Sequence, residues 1–128
     1  MFLFNGDCGP AVAAQVRRAI AELAATGRLP DRLADDLALI ATEMVTNAVR
    51  ASARRVTVVV DGAPPDIRIV VEDDAPGVPH AAQAREHDVA GRGLNIIAAV
   101  AREWGYRPTP EGKAVWARVV DAPSGPIG

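Results

Sequence analysis

The stretch ATEMVTNAVRAS, residues 41–52, places two polar side chains, Glu43 and Asn47, one helical turn apart within an apolar-periodic segment. A helix over roughly 30–52 is predicted, because apolar residues recur there at the spacing of one helical face: Leu33, Leu37, Ile40, Met44 and Ala48. At about 100° per residue, Glu43 and Asn47 fall beside this apolar stripe rather than opposite it. Polar residues in that position belong either to a solvated flank or to a binding site.

The two side chains also suit each other chemically. Residues spaced i, i+4 are neighbours on a helix surface, so the Glu43 carboxylate lies next to the Asn47 amide. Mg²⁺ prefers oxygen ligands and keeps several waters, so one amide oxygen together with phosphate oxygens would suit that ion. The pair taken alone leaves a solvated helix flank as the commoner alternative.

Start and stop signals divide the rest of the chain into helices and strands. Pro10 suits the first turn of a helix that runs to about Thr26, and Gly27 suits the position just past its end. The turn-rich GAPP joins two β-branched runs, which predict a strand pair. The predicted strands are FLF near the N-terminus, 54–61, 66–73 and two within 104–120, and a third helix is predicted over 93–104.

This order of elements predicts an α+β fold rather than an alternating βαβ parallel sheet. We expect a two-layer α/β sandwich, in which three helices cover one face of a mixed, mainly antiparallel sheet. The length of 128 residues fits one domain, 1–128, with a core over about 10–120 and a tail over 121–128.

Two glycine-containing motifs add to the helix pair. In VVEDDAPGVP, residues 70–79, a predicted strand ends in Asp73, whose carboxylate could accept a hydrogen bond from the exocyclic amine of a base. Gly77 would let the backbone pass close to a flat ring. In GRGLNII, residues 91–97, two glycines precede a predicted helix, whose N-terminal amides can bind an anion. Each motif alone is also explained by an ordinary acidic turn or a simple loop-to-helix junction.

Composition excludes several classes of function. The net charge is −2, and no basic run or basic amphipathic helix predicts a nucleic-acid or membrane surface. The N-terminus predicts neither a signal peptide nor a membrane span. The single cysteine, Cys8, cannot form an internal disulfide, which fits a reducing compartment. A cytoplasmic protein is therefore expected.

The ordered set of motifs is more specific than any one of them. E-x-x-x-N on a helix, D-x-A-P-G at a strand end, a flexible loop, and G-x-G-L opening a helix resemble the N, G1 and G2 boxes of the histidine-kinase-like (GHKL) ATPase superfamily. The stretches ATEMVTNAVRAS, GRGLNIIAAVAREWG and GKAVWARV resemble the small stand-alone ATP-binding proteins related to anti-sigma-factor serine/threonine kinases of actinobacteria. The resemblance covers about residues 10–120, and it implies the Bergerat ATP-binding fold.

The resemblance implies a role for each matching residue. Asn47 matches the asparagine that coordinates Mg²⁺ bridging the phosphates, and Glu43 matches the general base. Asp73 matches the aspartate that reads the adenine amino group, and Gly77 matches the second glycine of that box. The phosphate-facing turn corresponds to Gly91, Arg92, Gly93 and Leu94, and the predicted nucleotide-binding set also includes Lys113 of GKAVW.

Some positions depart from the superfamily pattern. Residues 78–90 would form a short ATP lid, in which His80 and His87 are interpreted as surface residues. Ala75 stands where the first glycine is common, Ala114 where a threonine commonly assists adenine binding, and Ala51 where a histidine often follows the N box. The substitutions favour weaker nucleotide binding, because one lost hydrogen bond costs on the order of 1 kcal/mol.

The resemblance implies a cytoplasmic ATP-binding regulator that uses ATP and Mg²⁺. The leading hypothesis is a serine/threonine protein kinase that binds a sigma factor or an anti-sigma-factor antagonist and phosphorylates that antagonist; a homodimer is one expectation. The alternative is a non-catalytic nucleotide-binding or protein-interaction module that sequesters a regulatory partner. A slow ATP hydrolase ranks last.

Overall fold

The computed structural model describes residues 1–76 and 91–121, which form three helices and five strands. The elements in chain order are β1 (Phe2–Asp7), α1 (Val12–Ala25), α2 (Asp31–Arg50), β2 (Arg55–Ala63), β3 (Asp66–Asp73), α3 (Gly91–Val100), β4 (Glu103–Pro108) and β5 (Lys113–Val120).

The strands form one sheet in the order β1-β2-β3-β5-β4, and every pairing between the described strands is antiparallel. β1 is an edge strand, as FLF predicted. α1 packs on α2, and α2 packs on β3, β5 and α3. The predicted α+β sandwich is therefore confirmed, and α2 lies at its centre.

The alternating pattern of β3 determines which side chains reach the helices. Ile67, Ile69 and Val71 are buried, while Arg68 and Glu72 are exposed. Because successive side chains of a strand point to opposite faces, Asp73 continues the buried series of odd-numbered residues. An acidic side chain therefore ends the buried, core-facing row of this strand.

α2 buries the face that its sequence predicted. The five residues of the apolar stripe are all buried, and the core also takes Ala34, Ala41 and Val45 from this helix. The helix begins at Asp31, with Pro30 just outside it in an extended conformation (ψ 145°). It ends at Arg50, and Ser52 then adopts a positive φ of 61°.

The predicted end of α1 is confirmed, whereas the predicted bounds of α3 are not. After α1, Gly27 has φ +78°, the left-handed conformation for which glycine is suited, so that signal is confirmed. The prediction of α3 over 93–104 was wrong at both ends, because the helix spans Gly91–Val100. Glu103 and Trp104 instead pair with Arg118 and Ala117 of β5, which satisfies their backbone groups in the sheet.

None of the helices in the described part of the chain is long and apolar enough to cross a membrane.

Candidate functional site

Asn47 lies on the buried side of α2, although its sequence pattern placed it at the flank. It is 2% exposed. Its Oδ1 atom is buried and accepts no hydrogen bond from the residues that the structure describes. A buried acceptor without a partner costs on the order of 1–3 kcal/mol, so a donor or cation beyond the described residues would stabilise this amide oxygen.

Glu43 lies one turn before Asn47 on the same helix and is half-buried. Among the described residues, no hydrogen bond or ion pair engages its carboxylate. The threonines on either side behave differently, since Thr42 and Thr46 donate to the backbone oxygens of Ala38 (2.8 Å) and Thr42 (2.7 Å). Within the described residues, the Glu43 carboxylate is therefore unengaged, and the amide oxygen of Asn47 one helical turn away also has no partner there.

Asp73 and Lys113 form a buried ion pair at the end of the β3–β5 ladder. The two residues are directly opposite in register, and Nζ of Lys113 donates to Oδ1 of Asp73 at 3.0 Å. The lysine side chain is 1% exposed and the aspartate side chain 2%. Lys113 also donates to the backbone oxygen of Ala75 at 3.0 Å, and the Ala75 N–H donates to the same Oδ1 at 2.8 Å.

Gly112 allows the two strands to approach at this point. A Cβ atom built there would lie 2.1 Å from the backbone oxygen of Asp73 and 2.8 Å from the Asp74 backbone. Its N–H also donates to Oγ1 of Thr109 at 3.0 Å, which closes the turn between β4 and β5. A side chain at position 112 would therefore push the lysine away from its carboxylate partner.

Asp74 is a positioning residue that the sequence did not single out. Its Oδ1 accepts from the backbone N–H of Arg54 at 2.7 Å and of Arg55 at 3.2 Å, where the chain enters β2 after α2. These two backbone hydrogen bonds, that of Arg54 first, hold the pKa of the Asp74 carboxyl below its ordinary value. The only signal in the sequence was the second acid in VVEDD, which is common in turns.

The G2-box residues have their backbone in α3. The helix begins at Gly91, so Gly91, Arg92, Gly93 and Leu94 form its first turn instead of preceding it. The free N–H groups of a first turn are the ones that can bind an anion, so the predicted phosphate-facing role remains open. Gly77 and the predicted lid over 78–90, with His80 and His87, lie outside the described residues.

The alanine substitutions fall at different distances from the ion pair. Ala75 is buried and contacts it through its backbone. Ala114, at the position where a threonine is common in the superfamily, is buried and lies opposite Glu72, whereas Lys113 lies opposite Asp73. Ala51 directly follows α2 and has no described side-chain role.

The donor set fits Mg²⁺ held mainly by phosphate. The described residues include no group of three or more histidine, cysteine, aspartate or glutamate side chains that could hold a metal. Oδ1 of Asn47, which has no partner among the described residues, would supply one neutral oxygen ligand, and Mg²⁺ commonly takes one or two protein ligands with phosphates and waters.

The comparisons with known proteins agree with this arrangement. A family model described as "Histidine kinase-like ATPase domain" matches residues 9–119. The structure is similar to a histidine kinase domain from the blue-light activated histidine kinase of Erythrobacter litoralis EL346, with a TM-score of 0.56 and 18% sequence identity. That match covers 86% of this chain and 59% of the other, so it supports the fold alone. No curated protein matches the chain. On the family match, the chain belongs to the histidine kinase-like ATPase domain family.

Proposed function

We propose that this protein binds ATP with Mg²⁺ and transfers the γ-phosphate to a serine or threonine of a regulatory partner, in the manner of an anti-sigma-factor kinase. The partner would be a sigma factor or an anti-sigma-factor antagonist protein, and the antagonist would accept the phosphate. The observation that carries the proposal is the buried, unpartnered amide oxygen of Asn47, one turn from the unengaged carboxylate of Glu43. The pair combines a ligand position with a proton acceptor.

The proposed chemistry assigns the base role to Glu43. As the bond from the partner's hydroxyl oxygen to the γ-phosphorus forms, the bond from that phosphorus to the β–γ bridging oxygen breaks and ADP leaves. The hydroxyl proton passes to the Glu43 carboxylate. Asn47 would hold the metal ion, which would supply positive charge that offsets the negative phosphate oxygens. Asp73 reads the adenine amino group at the other end of the nucleotide.

Calorimetric titration tests the binding step. Wild-type protein titrated with ATP should bind with an affinity that falls when Mg²⁺ is removed. Asn47→Ala should lose most of that Mg²⁺ dependence, whereas Asp36→Ala should keep it. Asp36 serves as the control, because it is a half-buried polar residue of α2 about three turns before Asn47. Equal loss in both variants would show that the helix surface, and not the amide ligand, is responsible.

A phosphate-transfer assay tests the reaction. With purified candidate antagonist and ATP labelled on the γ-phosphate, Glu43→Gln should lower transfer by about 10²-fold or more, the typical contribution of a general base. ATP affinity of this variant should stay near the wild-type value, since the proposed base acts on the hydroxyl. Undiminished transfer by Glu43→Gln would contradict the assignment.

One observation favours the second candidate, a non-catalytic module that sequesters a partner. The Asp73 carboxylate is already paired with Lys113, and its side chain is 2% exposed. Under this alternative, the folded domain binds its partner equally with and without ATP, and no label is transferred. Partner binding measured at both conditions separates the candidates, because the kinase hypothesis requires transfer that depends on ATP and Mg²⁺.

A further inference from the structure

We propose that Lys113 is the positioning residue that sets base specificity, by supplying the counter-charge of the Asp73 carboxylate and orienting it as an acceptor for a 6-amino purine. This inference rests on the ATP binding proposed above and adds to it the residue that makes the site prefer adenine. Lys113 is the only lysine in the chain, beside thirteen arginines. Its placement is therefore unlike that of every other basic residue.

The first argument concerns charge. A carboxylate whose side chain is 2% exposed is costly to bury unless it has a charged or well hydrogen-bonded partner. A nucleobase stacked over Asp73 would exclude the remaining water from this carboxylate. The Lys113 ammonium, 3.0 Å from Oδ1, supplies the counter-charge from within the fold.

The second argument concerns direction. Both described donors, the Lys113 ammonium and the Ala75 N–H, reach the same atom, Oδ1 of Asp73. Among the described residues, Oδ1 of Asp73 accepts both of these hydrogen bonds and Oδ2 accepts none. The proposal assigns Oδ2 to the amino group of the ligand. An ionised Oδ2 accepts from the 6-amino group of adenine and repels the 6-oxo group of inosine.

The third argument explains why a lysine occupies the position. The ammonium is a compact point charge with three donors, of which two reach Oδ1 of Asp73 and the backbone oxygen of Ala75. Through Ala75, it ties the strand end to the start of the segment that leads toward Gly77. The larger, planar guanidinium of an arginine would need more space between these two oxygens. Gly112, which can carry no Cβ here, keeps the strands close enough for both contacts.

The test compares ATP with inosine triphosphate, both with Mg²⁺, by calorimetry. Wild-type protein should prefer ATP by about tenfold or more, as expected for one hydrogen bond to a charged group. In Lys113→Met, the Asp73 carboxylate loses its counter-charge and the donor that orients it, so the preference should fall toward one. In the double variant Asp73→Asn/Lys113→Met, the amide can both donate and accept, and the ratio should lie near one. If Lys113→Met does not fold, the lysine resonance of the wild-type protein, described next, supplies the test.

A second readout uses the single lysine. With ¹⁵N-labelled lysine, the wild-type protein should give one side-chain ammonium resonance, which ATP shifts more than inosine triphosphate does. A lysine that only stabilises the fold would lower the affinity for both nucleotides by the same factor and leave their ratio unchanged, which would overturn the proposal. ATP binding gained by Lys113→Met over wild type would also overturn it, since the lysine would then block the base.

These outcomes distinguish failure of the Lys113 proposal from failure of the proposed ATP binding. If wild-type protein binds ATP and both variants keep the same ratio of affinities for ATP and inosine triphosphate, the role of Lys113 is contradicted and the nucleotide site is not. Absence of binding by wild type and both variants, at millimolar nucleotide, sinks the ATP proposal and this inference together.

Discussion

The two ends of the β3–β5 strand pair carry the same kind of ion pair in opposite surroundings. At one end, Asp73 and Lys113 share one contact of 3.0 Å, with side chains 2% and 1% exposed. At the other, Arg118 contacts Asp66 through three hydrogen bonds of 2.7–3.1 Å and also reaches Glu103 at 2.7 Å, with side chains 39–57% exposed. The exposed end has more contacts, and three of its four are shorter than the buried one.

The comparison teaches that the number of contacts does not measure their importance. Exposed pairs exchange one solvated state for another, so their loss costs little. Removing one member of a buried pair leaves a charge without water or a partner. The exposed pair therefore contributes little to stability, whereas the buried pair is the one to which we assign base recognition. If burial decides, variants at the buried end should lose more stability than variants at the exposed end.

The largest expected effect comes from Lys113→Met, which keeps the side-chain volume and removes the charge. We expect the free energy of unfolding to fall by roughly 3–5 kcal/mol, the usual cost of orphaning one partner of a buried pair. Urea unfolding measures it. The double variant Asp73→Asn/Lys113→Met should recover most of the loss, since no unpaired charge remains. A double variant as unstable as the single one would show that packing, not charge, is responsible.

Gly112→Ala should be next, at roughly 1–3 kcal/mol, because its Cβ would overlap the backbone of Asp73 and Asp74, which cannot move freely. Gly105→Ala is the control, in the neighbouring β4–β5 ladder opposite Trp116. Its Cβ would meet the Trp116 indole at 2.9–3.0 Å, and a side chain can shift where backbone cannot. Thermal unfolding of both variants should rank Gly112→Ala as the less stable; the reverse order would contradict a tight approach at the buried end.

A smaller effect is expected from acid pH. Hydrogen bonds from Arg118 hold the pKa of Asp66 below its ordinary 3.8, and the backbone N–H groups of Arg54 and Arg55 do the same for Asp74. Because these pKa values are lowered on folding, the stability they contribute is present above 3.8 and is lost as the pH falls through the folded values. Asp74→Asn keeps the acceptor oxygen and removes the titration.

The measurement is urea unfolding from pH 6 down to pH 2. Wild-type stability should decline below about pH 4, and Asp74→Asn should decline less steeply. Identical acid limbs for the two proteins would show that the Asp74 carboxylate does not gain from its contacts to the start of β2.

The smallest effect is expected at the exposed end. Arg118→Met should reduce stability by only a small fraction of the Lys113→Met loss, and the difference from wild type should shrink as salt is raised, because the ion pairs are in solvent. Unfolding in low and in 1 M salt checks this. A loss as large as that of Lys113→Met, and insensitive to salt, would abolish the distinction between the two ends.

Much of the fold could be predicted because it depends on local periodicity. The apolar stripe of α2, the glycine after α1, the strand pair around GAPP and the edge strand at the N-terminus were all correct. The end of α3 was not, because Trp104 continues an apolar pattern that either a helix or a strand could use. Pairing with β5 decided between them.

For the site, the sequence by itself determined which residue types were present and their order: a carboxylate and an amide one turn apart, then an acid at a strand end. Only the tertiary structure decided that Asn47 is buried, with an oxygen that finds no partner in residues 1–76 or 91–121, and that Lys113 rather than Ala114 is opposite Asp73. The physical reason is that helix and strand faces follow from spacing along the chain. Strand register and burial depend instead on partners 40 residues away in sequence, which no local pattern encodes.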